Sequence, residues 1–370
     1  MKYLTLASIC LSSVLMVGCS KNLDVKPQNL ADSVDQHVVT GLNELENGHI
    51  EKARTNFLAA QALDHKASSA FSSLALVNPH PKDLLSEAKS NSETNLDILR
   101  YKIASIRTAE DDEDFKTLYE DIAELKVDFM PYYHDKGSVD YYIGMHYYAK
   151  LDFKTASRYF ENVFQKYEHS KFESRARVLW EKSDAITRAI SLSKWSVTTK
   201  KIATLDAISR ADAAVVIVTE LNLDKLLKGS FNRVKQDIDR ETPSDIVSHP
   251  NFVELDVINK YGLRGLEPIV QDGKLVFAPN KPITRADFAF ILEDIIAKLK
   301  HDNSIKRKYI GSVSPFSDIT SHDVIFNAAL NSVSMGFLTP TKYKEFRPSD
   351  TLTGVELIQA IAKIKEEISF

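Results

Sequence analysis

Cysteine is nearly absent from this chain of 370 residues, which contains only Cys10 and Cys19. Two cysteines are too few for a disulfide scaffold, for a zinc site built from cysteine ligands, or for a CxxC redox pair at this spacing. Both lie within the first twenty residues. The sequence therefore excludes the disulfide-rich and cysteine-zinc classes of protein.

The chain also has no excess of positive charge, since it contains 47 basic and 51 acidic residues and its formal net charge is −4. Binding to a phosphate backbone normally needs a positive field, so we expect no nucleic-acid partner. The composition, 44% hydrophobic and 26% charged, is typical of a folded soluble chain and argues against disorder and against a polytopic membrane protein. At roughly 100–200 residues per domain, the length predicts two or three domains.

Familiar catalytic motifs are absent as well. The sequence has no GxSxG, HExxH, Walker or GxGxxG motif, and its ten histidines are scattered rather than spaced as metal ligands. We therefore expect a protein that is not an enzyme, with no cofactor and no metal.

One uncharged apolar run follows Lys2 and covers residues 4–18. Its length of about fifteen residues is below the ~20 that a membrane-spanning helix needs, and a basic start followed by such a run is typical of a signal peptide. An ordinary secretory peptide, in which the cysteine is incidental, is one interpretation.

The other interpretation depends on residues 16–19, Met-Val-Gly-Cys. This tetrapeptide resembles the lipobox of bacterial lipoproteins, with Met16 in place of the commoner Leu. The resemblance implies a signal peptide at 1–18, lipidation of Cys19, which attaches the chain to a membrane, and a tether at 19–36. Since Ser20 follows the cysteine, the resemblance favours the periplasmic face of the outer membrane; a Gram-positive host would place the protein on its cytoplasmic membrane.

Residues 37–192 contain small and aromatic residues at helix-packing intervals. The first set is Gly41, Gly48, Ala53, Phe57 and Ala60, and the second is Gly144, Tyr147, Ala156 and Phe160. The order resembles a tetratricopeptide repeat, which implies a solenoid of helical hairpins. We expect such a region to serve as a spacer or as a binding platform for another envelope protein, and a plain helical bundle is the alternative.

A different repeat occupies the C-terminal half. The hexapeptide SDIVSH at 244–249 recurs as SDITSH at 317–322, and each copy is followed by a glycine that we expect to end a helix, Gly262 or Gly336. Loops FAPN (277–280) and FRPS (346–349) come next. Each copy then starts another helix with a capping-box pattern, TRAD at 284–287 and TGVE at 353–356, and a third instance, SRAD, lies at 209–212.

These landmarks resemble S-layer homology repeats. The resemblance implies a helical, pseudo-threefold domain at 193–370, with repeats at about 184–228, 243–300 and 316–370, whose grooves bind a cell-wall polymer or peptidoglycan. The fold predicted for the chain is thus mainly α. The residues that the resemblance and their helix-end positions assign to polymer binding are Arg285, Arg210, Thr284, Ser209, Gly262 and Gly336.

The two arginines suit an anionic polymer, because a guanidinium beside the free N–H groups of a helix start is a good anion donor. Gly354 stands at the matching position of the third repeat, which removes that donor. In the alternative, Ser209 and Thr284 only cap helices and the arginines form surface ion pairs.

Two functions follow from these patterns. The first is a non-catalytic envelope lipoprotein that links membrane to cell wall. The second is an adaptor or assembly-factor lipoprotein that binds another envelope protein through its helical repeats.

Overall fold

The computed structural model describes residues 32–109, 136–167, 169–191, 193–234 and 240–368. Within them the chain forms fifteen α-helices and one short β-hairpin, so the predicted mainly α class is confirmed. The chain divides into two compact units, Met1–Asp184 and Ala185–Phe370. The signal peptide, Cys19 and most of the tether lie outside the described residues.

The helices of the first unit are α1 (Val34–Glu46), α2 (Ile50–Leu63), α3 (Ser68–Ala75), α4 (Pro81–Ser90), α5 (Asn95–Thr108), α6 (Lys136–Ala149), α7 (Phe153–Lys166) and α8 (Glu173–Ile190), the last of which contains the division between the units.

Two hairpins in this unit share one packing device. In α1–α2 the ring of Phe57 lies against Gly41, and a Cβ on that glycine would overlap the ring. In α6–α7 the ring of Phe160 lies against Gly144, where a Cβ would be 2.7 Å from Cδ1 of the ring. Both phenylalanines are fully buried. The small residue therefore lets the helices approach until the aromatic ring fills the space between them, as the sequence predicts.

The elements of the second unit are α9 (Val197–Ala203), α10 (Arg210–Leu221), α11 (Leu223–Val234), α12 (Phe252–Tyr261), β1 (Ile269–Gln271), β2 (Lys274–Val276), α13 (Arg285–Lys300), a 3₁₀ helix (Asn303–Arg307), α14 (Phe326–Ser334) and α15 (Gly354–Ile368). The strands β1 and β2 are antiparallel, with Ile269 opposite Val276.

Capping boxes start three of these helices, as the sequence predicts. Ser209 and Asp212 cap α10, and Thr284 and Asp287 cap α13, each hydroxyl accepting from the backbone N–H three residues on. At α15, Thr353 Oγ1 accepts from Glu356 N at 3.2 Å, and Thr353 N donates to the Glu356 carboxylate at 3.1 Å.

The residue before each of these caps belongs to a closed ring of backbone hydrogen bonds. Ile208 N donates to Leu352 O (3.1 Å), Leu352 N donates to Ile283 O (2.9 Å), and Ile283 N donates to Ile208 O (3.1 Å). All three side chains are buried. The ring fixes three helix starts, separated by up to 144 residues in sequence, next to one another.

Replacing Phe160 by Ala removes the phenyl ring that fills the space between α6 and α7. We expect a loss of about 3–5 kcal/mol in local stability, because the glycine opposite leaves nothing to refill the cavity. Hydrogen exchange of the α6 and α7 amides measures this loss. Lys154→Ala, at an exposed position of α7, is the control, and equal protection in the two variants would contradict the packing described.

Candidate functional site

The candidate site lies at the starts of α10 and α13, where Arg210 and Arg285 follow the capping residues Ser209 and Thr284. The structure corrects the expectation that these arginines are surface donors. Arg210 is 8% exposed and Arg285 is 1% exposed. Both side chains point into the protein, so the alternative of surface ion pairs is wrong as well.

Arg285 binds residues of the following repeat. Its Nε donates to Phe346 O (2.8 Å), its Nη2 donates to Thr339 O (3.1 Å), and its Nη1 pairs with the carboxylate of Glu356. Burial lowers the pKa of the guanidinium, and the Glu356 carboxylate opposes that shift. The guanidinium thus joins two repeats through three contacts.

Arg210 makes the equivalent contacts one repeat earlier. Its Nε donates to Phe277 O (2.9 Å), its Nη1 to Gly265 O (3.1 Å) and its Nη2 to Glu267 O (2.8 Å). Its Cζ lies 4.8 Å from the centroid of the Phe277 ring. We call Arg210 and Arg285, with these partners, the arginine clamps.

The backbone N–H groups at the same helix starts are also engaged. Arg210 N donates to Lys281 O (2.9 Å), Ala211 N to Pro279 O (2.9 Å), Arg285 N to Asp350 O (2.9 Å) and Ala286 N to Pro348 O (3.0 Å). Each helix start therefore docks on the Phe-x-Pro loop of the next repeat. The N–H donors that we expected to meet an anion meet carbonyl oxygens of the protein instead.

Two aspartates that sequence reasoning did not single out hold these loops. The carboxylate of Asp245 accepts from Phe277 N (2.8 Å) and Ala278 N (2.7 Å). The carboxylate of Asp318 accepts from Phe346 N (2.8 Å) and from the next residue, Arg347 N (2.7 Å). The signal was present in the recurring SDI, because one carboxylate with two backbone donors accounts for an aspartate at a fixed place in both hexapeptides.

Gly354 marks the third helix start, where no arginine is present. Its N–H donates to Leu205 O (2.9 Å), and a Cβ there would overlap Ile202 O and lie 2.8 Å from Cα of Ala203. The glycine is thus required by the close approach of α9. An arginine side chain cannot be accommodated at this position.

Gly262 and Gly336 end α12 and α14 with left-handed backbone, at φ of 56° and 70°. Each lies beneath an exposed cationic side chain. A Cβ on Gly262 would meet the guanidinium of Arg240, and one on Gly336 would lie 2.5 Å from Nζ of Lys363. The structure therefore places accessible positive charge at these two glycines, and sequence reasoning missed both cations because neither belongs to a repeated motif.

One protein-family profile, the S-layer homology domain, matches residues 271–289. The match runs from the end of β1 through the first Phe-x-Pro loop into α13 and includes Arg285 and its capping box. It suggests anchoring at the cell wall or cell envelope. No curated protein and no solved structure matches the chain.

In the described part of the chain, no helix has the length and hydropathy needed to cross a membrane. Within the same residues, no group of three or more His, Cys, Asp or Glu side chains is arranged to hold a metal ion.

Replacing Arg285 by Ala leaves the Glu356 carboxylate and the carbonyl oxygens of Phe346 and Thr339 without their donor. We expect a loss of about 2–3 kcal/mol in stability, below the full cost of breaking a buried ion pair, because the Glu356 side chain is 23% exposed and still accepts from Thr353. Hydrogen exchange of the α13 and α15 amides during thermal unfolding of the full chain measures this loss of stability. Lys281→Ala, which removes an exposed cation nearby, should unfold like the parent. Equal behaviour of both variants would contradict the structural role of the clamp.

Proposed function

We propose that the protein is a non-catalytic component of the cell envelope that attaches to a wall polymer, such as peptidoglycan, through residues 193–370. The observation that carries this proposal is the match of an S-layer homology domain to residues 271–289. The lack of hydrolase, metalloprotease and nucleotide-binding motifs in the sequence supports a role without catalysis.

In this proposal the second unit is a pseudo-threefold arrangement of three repeats. The hydrogen-bond ring of Ile208, Ile283 and Leu352 supports it, because three equivalent residues each donate to one neighbour and accept from the other. Further support comes from the three helix starts, each of which donates a backbone N–H to a loop of another repeat. Symmetry of this kind creates grooves between repeats, where a long polymer chain can be held.

The polymer would bind at the ends of α12 and α14, near Gly262 and Gly336. Arg240 and Lys363 are the exposed cations there, and each offers charge-assisted hydrogen bonds to an anionic group of the polymer. Arg210, Arg285, Ser209 and Thr284 then act as positioning residues that hold the groove walls.

The membrane end of the link would be the lipid on Cys19. Its support is the lipobox-like sequence Met-Val-Gly-Cys at 16–19, which also implies removal of residues 1–18. Ser20 favours the periplasmic face of the outer membrane. Several acyl chains on one cysteine anchor a protein much more firmly than a single chain.

The first unit would act as a spacer or a binding platform of tetratricopeptide type. Support comes from the two glycine–phenylalanine pairs, Gly41 with Phe57 and Gly144 with Phe160, which have the same spacing in sequence and the same packing. A platform of this kind also suits the second candidate function, an adaptor lipoprotein, in which the first unit binds another envelope protein.

Removing the two exposed cations tests the wall-binding proposal. Arg240→Ala with Lys363→Ala should reduce cosedimentation of the full mature chain with isolated wall sacculi by about tenfold or more, since each charge-assisted contact contributes about 1.5–3 kcal/mol. The matched control is Lys274→Ala with Lys281→Ala, two exposed cations of the same unit.

If the control and the double variant bind sacculi equally, the glycine-end site is wrong. If the parent chain itself does not sediment with sacculi, and an envelope protein copurifies with it, the adaptor function replaces the tether.

Cys19→Ala tests the anchor. We expect the variant to accumulate in the soluble periplasmic fraction or to remain uncleaved in the inner membrane, because the thiol that carries the lipid is gone. Fractionation and mass spectrometry of the N-terminal peptide measure this. Ser20→Ala should be anchored like the parent, and outer-membrane anchorage of Cys19→Ala would contradict lipidation at this residue.

A further inference from the structure

Large apolar side chains that face solvent are concentrated in one stretch of the second unit. Of the six most exposed ones in the described part of the chain, four lie between residues 310 and 343, namely Ile310, Val313, Val324 and Tyr343. Val313 is 89% exposed and Ile310 is 70% exposed. Single exposed apolar residues are ordinary, whereas a group of them marks a contact surface for another molecule.

Exposed cations accompany these side chains. Arg307 and Lys308 lie just before Ile310, and Lys342 and Lys344 flank Tyr343 on both sides. All four cations are exposed, and none of them forms an ion pair with a carboxylate of the described residues. Positive charge next to exposed apolar groups is the pattern of a surface that meets an interface rather than bulk water.

The carboxylates of the same stretch are held against the protein. Asp302 accepts from Ser304 N (2.8 Å), and Asp323 accepts from Thr320 N (2.6 Å). Asp318 is occupied by the two backbone N–H groups of the Phe-x-Pro loop described above. The acids therefore serve local turns, while the four cations remain available to an external anion.

Hydrogen bonds bring the two basic segments together. Ser317, four residues after Val313, donates from N to Lys344 O (3.0 Å) and from Oγ to Tyr343 O (3.1 Å). The first segment is fixed on α14, because Asn327 accepts from Tyr309 N (2.8 Å) and donates to the backbone oxygen at position 305 (3.0 Å). Both segments thus belong to one fixed region of the protein surface.

We infer that residues 305–313 and 342–344, which we call the basic apolar patch, bind the surface of an anionic lipid bilayer. The cations attract the lipid phosphates, and Ile310, Val313 and Tyr343 enter the boundary between headgroups and acyl chains. An anionic wall polymer would leave the aliphatic side chains in water, and an apolar protein surface would leave the cations without partners. The inference does not rest on wall binding, and it gives the second unit a membrane contact of its own.

The test uses residues 20–370, which contain every described residue and lack the lipidated cysteine, so that acyl chains contribute nothing. We expect this chain to sediment with vesicles made of equal parts of phosphatidylcholine and phosphatidylglycerol. Vesicles of phosphatidylcholine alone should bind it at least about tenfold more weakly, because they carry no net negative charge. Added salt should weaken the binding to the anionic vesicles, since it screens exposed charges.

Two pairs of substitutions separate the charged part of the patch from the apolar part. Arg307→Gln with Lys308→Gln should weaken binding to the anionic vesicles about tenfold or more, since each cation near such a surface contributes about fivefold. The matched control is Lys274→Gln with Lys281→Gln, which removes two exposed cations elsewhere in the unit.

Ile310→Ser with Val313→Ser should also weaken vesicle binding about tenfold, because two aliphatic side chains no longer leave water. Its control is Val253→Ser with Val270→Ser, two exposed valines outside the patch. All four substituted residues are exposed, and thermal unfolding checks that each variant keeps the fold of the parent.

Equal binding of the parent chain to the two kinds of vesicle, or no binding to either, would overturn the inference. Equal binding of a patch variant and its control would do the same. If the patch variants lose binding to wall sacculi while the parent binds no vesicles, the patch belongs to the polymer and the lipid inference is wrong. Arg240→Ala with Lys363→Ala should keep vesicle binding, which separates this outcome from a failure of the wall-binding proposal.

Discussion

Burial of a guanidinium between repeats is the constraint on which the second unit depends. Arg210 and Arg285 each bind carbonyl oxygens of the following repeat, and no other side chain offers three nitrogens in the fixed, planar geometry that these acceptors require. Once the guanidinium is in place, the helix start that carries it must lie on the next Phe-x-Pro loop. This placement brings Ile208, Ile283 and Leu352 together, and their backbone groups form the closed ring of three hydrogen bonds.

Loop shape is fixed by a second set of charges. Asp245 and Asp318 each hold two successive backbone N–H groups, and the second residue of each pair, Ala278 or Arg347, adopts the left-handed conformation that is unfavourable for non-glycine residues. The two hydrogen bonds from one carboxylate offset that strain. The carbonyls that the clamps need, at Phe277 and Phe346, are presented by the same turns. The aspartate and the arginine therefore bind the same loop, the first at backbone N–H groups and the second at a carbonyl oxygen.

Local features of this fold were predictable because their causes are local. A hydroxyl followed three residues later by an acid defines a helix start whatever surrounds it, which is why Thr284 and Ser209 cap helices as expected. The burial of Arg285 was not predictable in this way. The segment Thr-Arg-Ala-Asp suits an exposed or a buried arginine equally, and the carbonyls that bury it come from residues 54 and 61 positions later. Sequence reasoning also missed Arg240 and Lys363, because the glycines that they cover recur and the cations do not.

The third helix start shows why the repeats are not interchangeable. At Gly354 the space that an arginine would need is taken by the end of α9, so this helix start binds the first repeat through a backbone hydrogen bond and not through a guanidinium. Lys365 and Glu220 add an ion pair of 3.2 Å between the same two repeats, and hydrogen bonds from Ser196 and Thr199 lower the pKa of the Glu220 carboxyl against its burial. Between the third and the first repeat, close packing of α9 on Gly354 therefore takes the place of an arginine clamp. The clamp side chains and the N–H groups of the helix starts bind other parts of the protein, which supports the proposal that a polymer meets the charges at Gly262 and Gly336 instead.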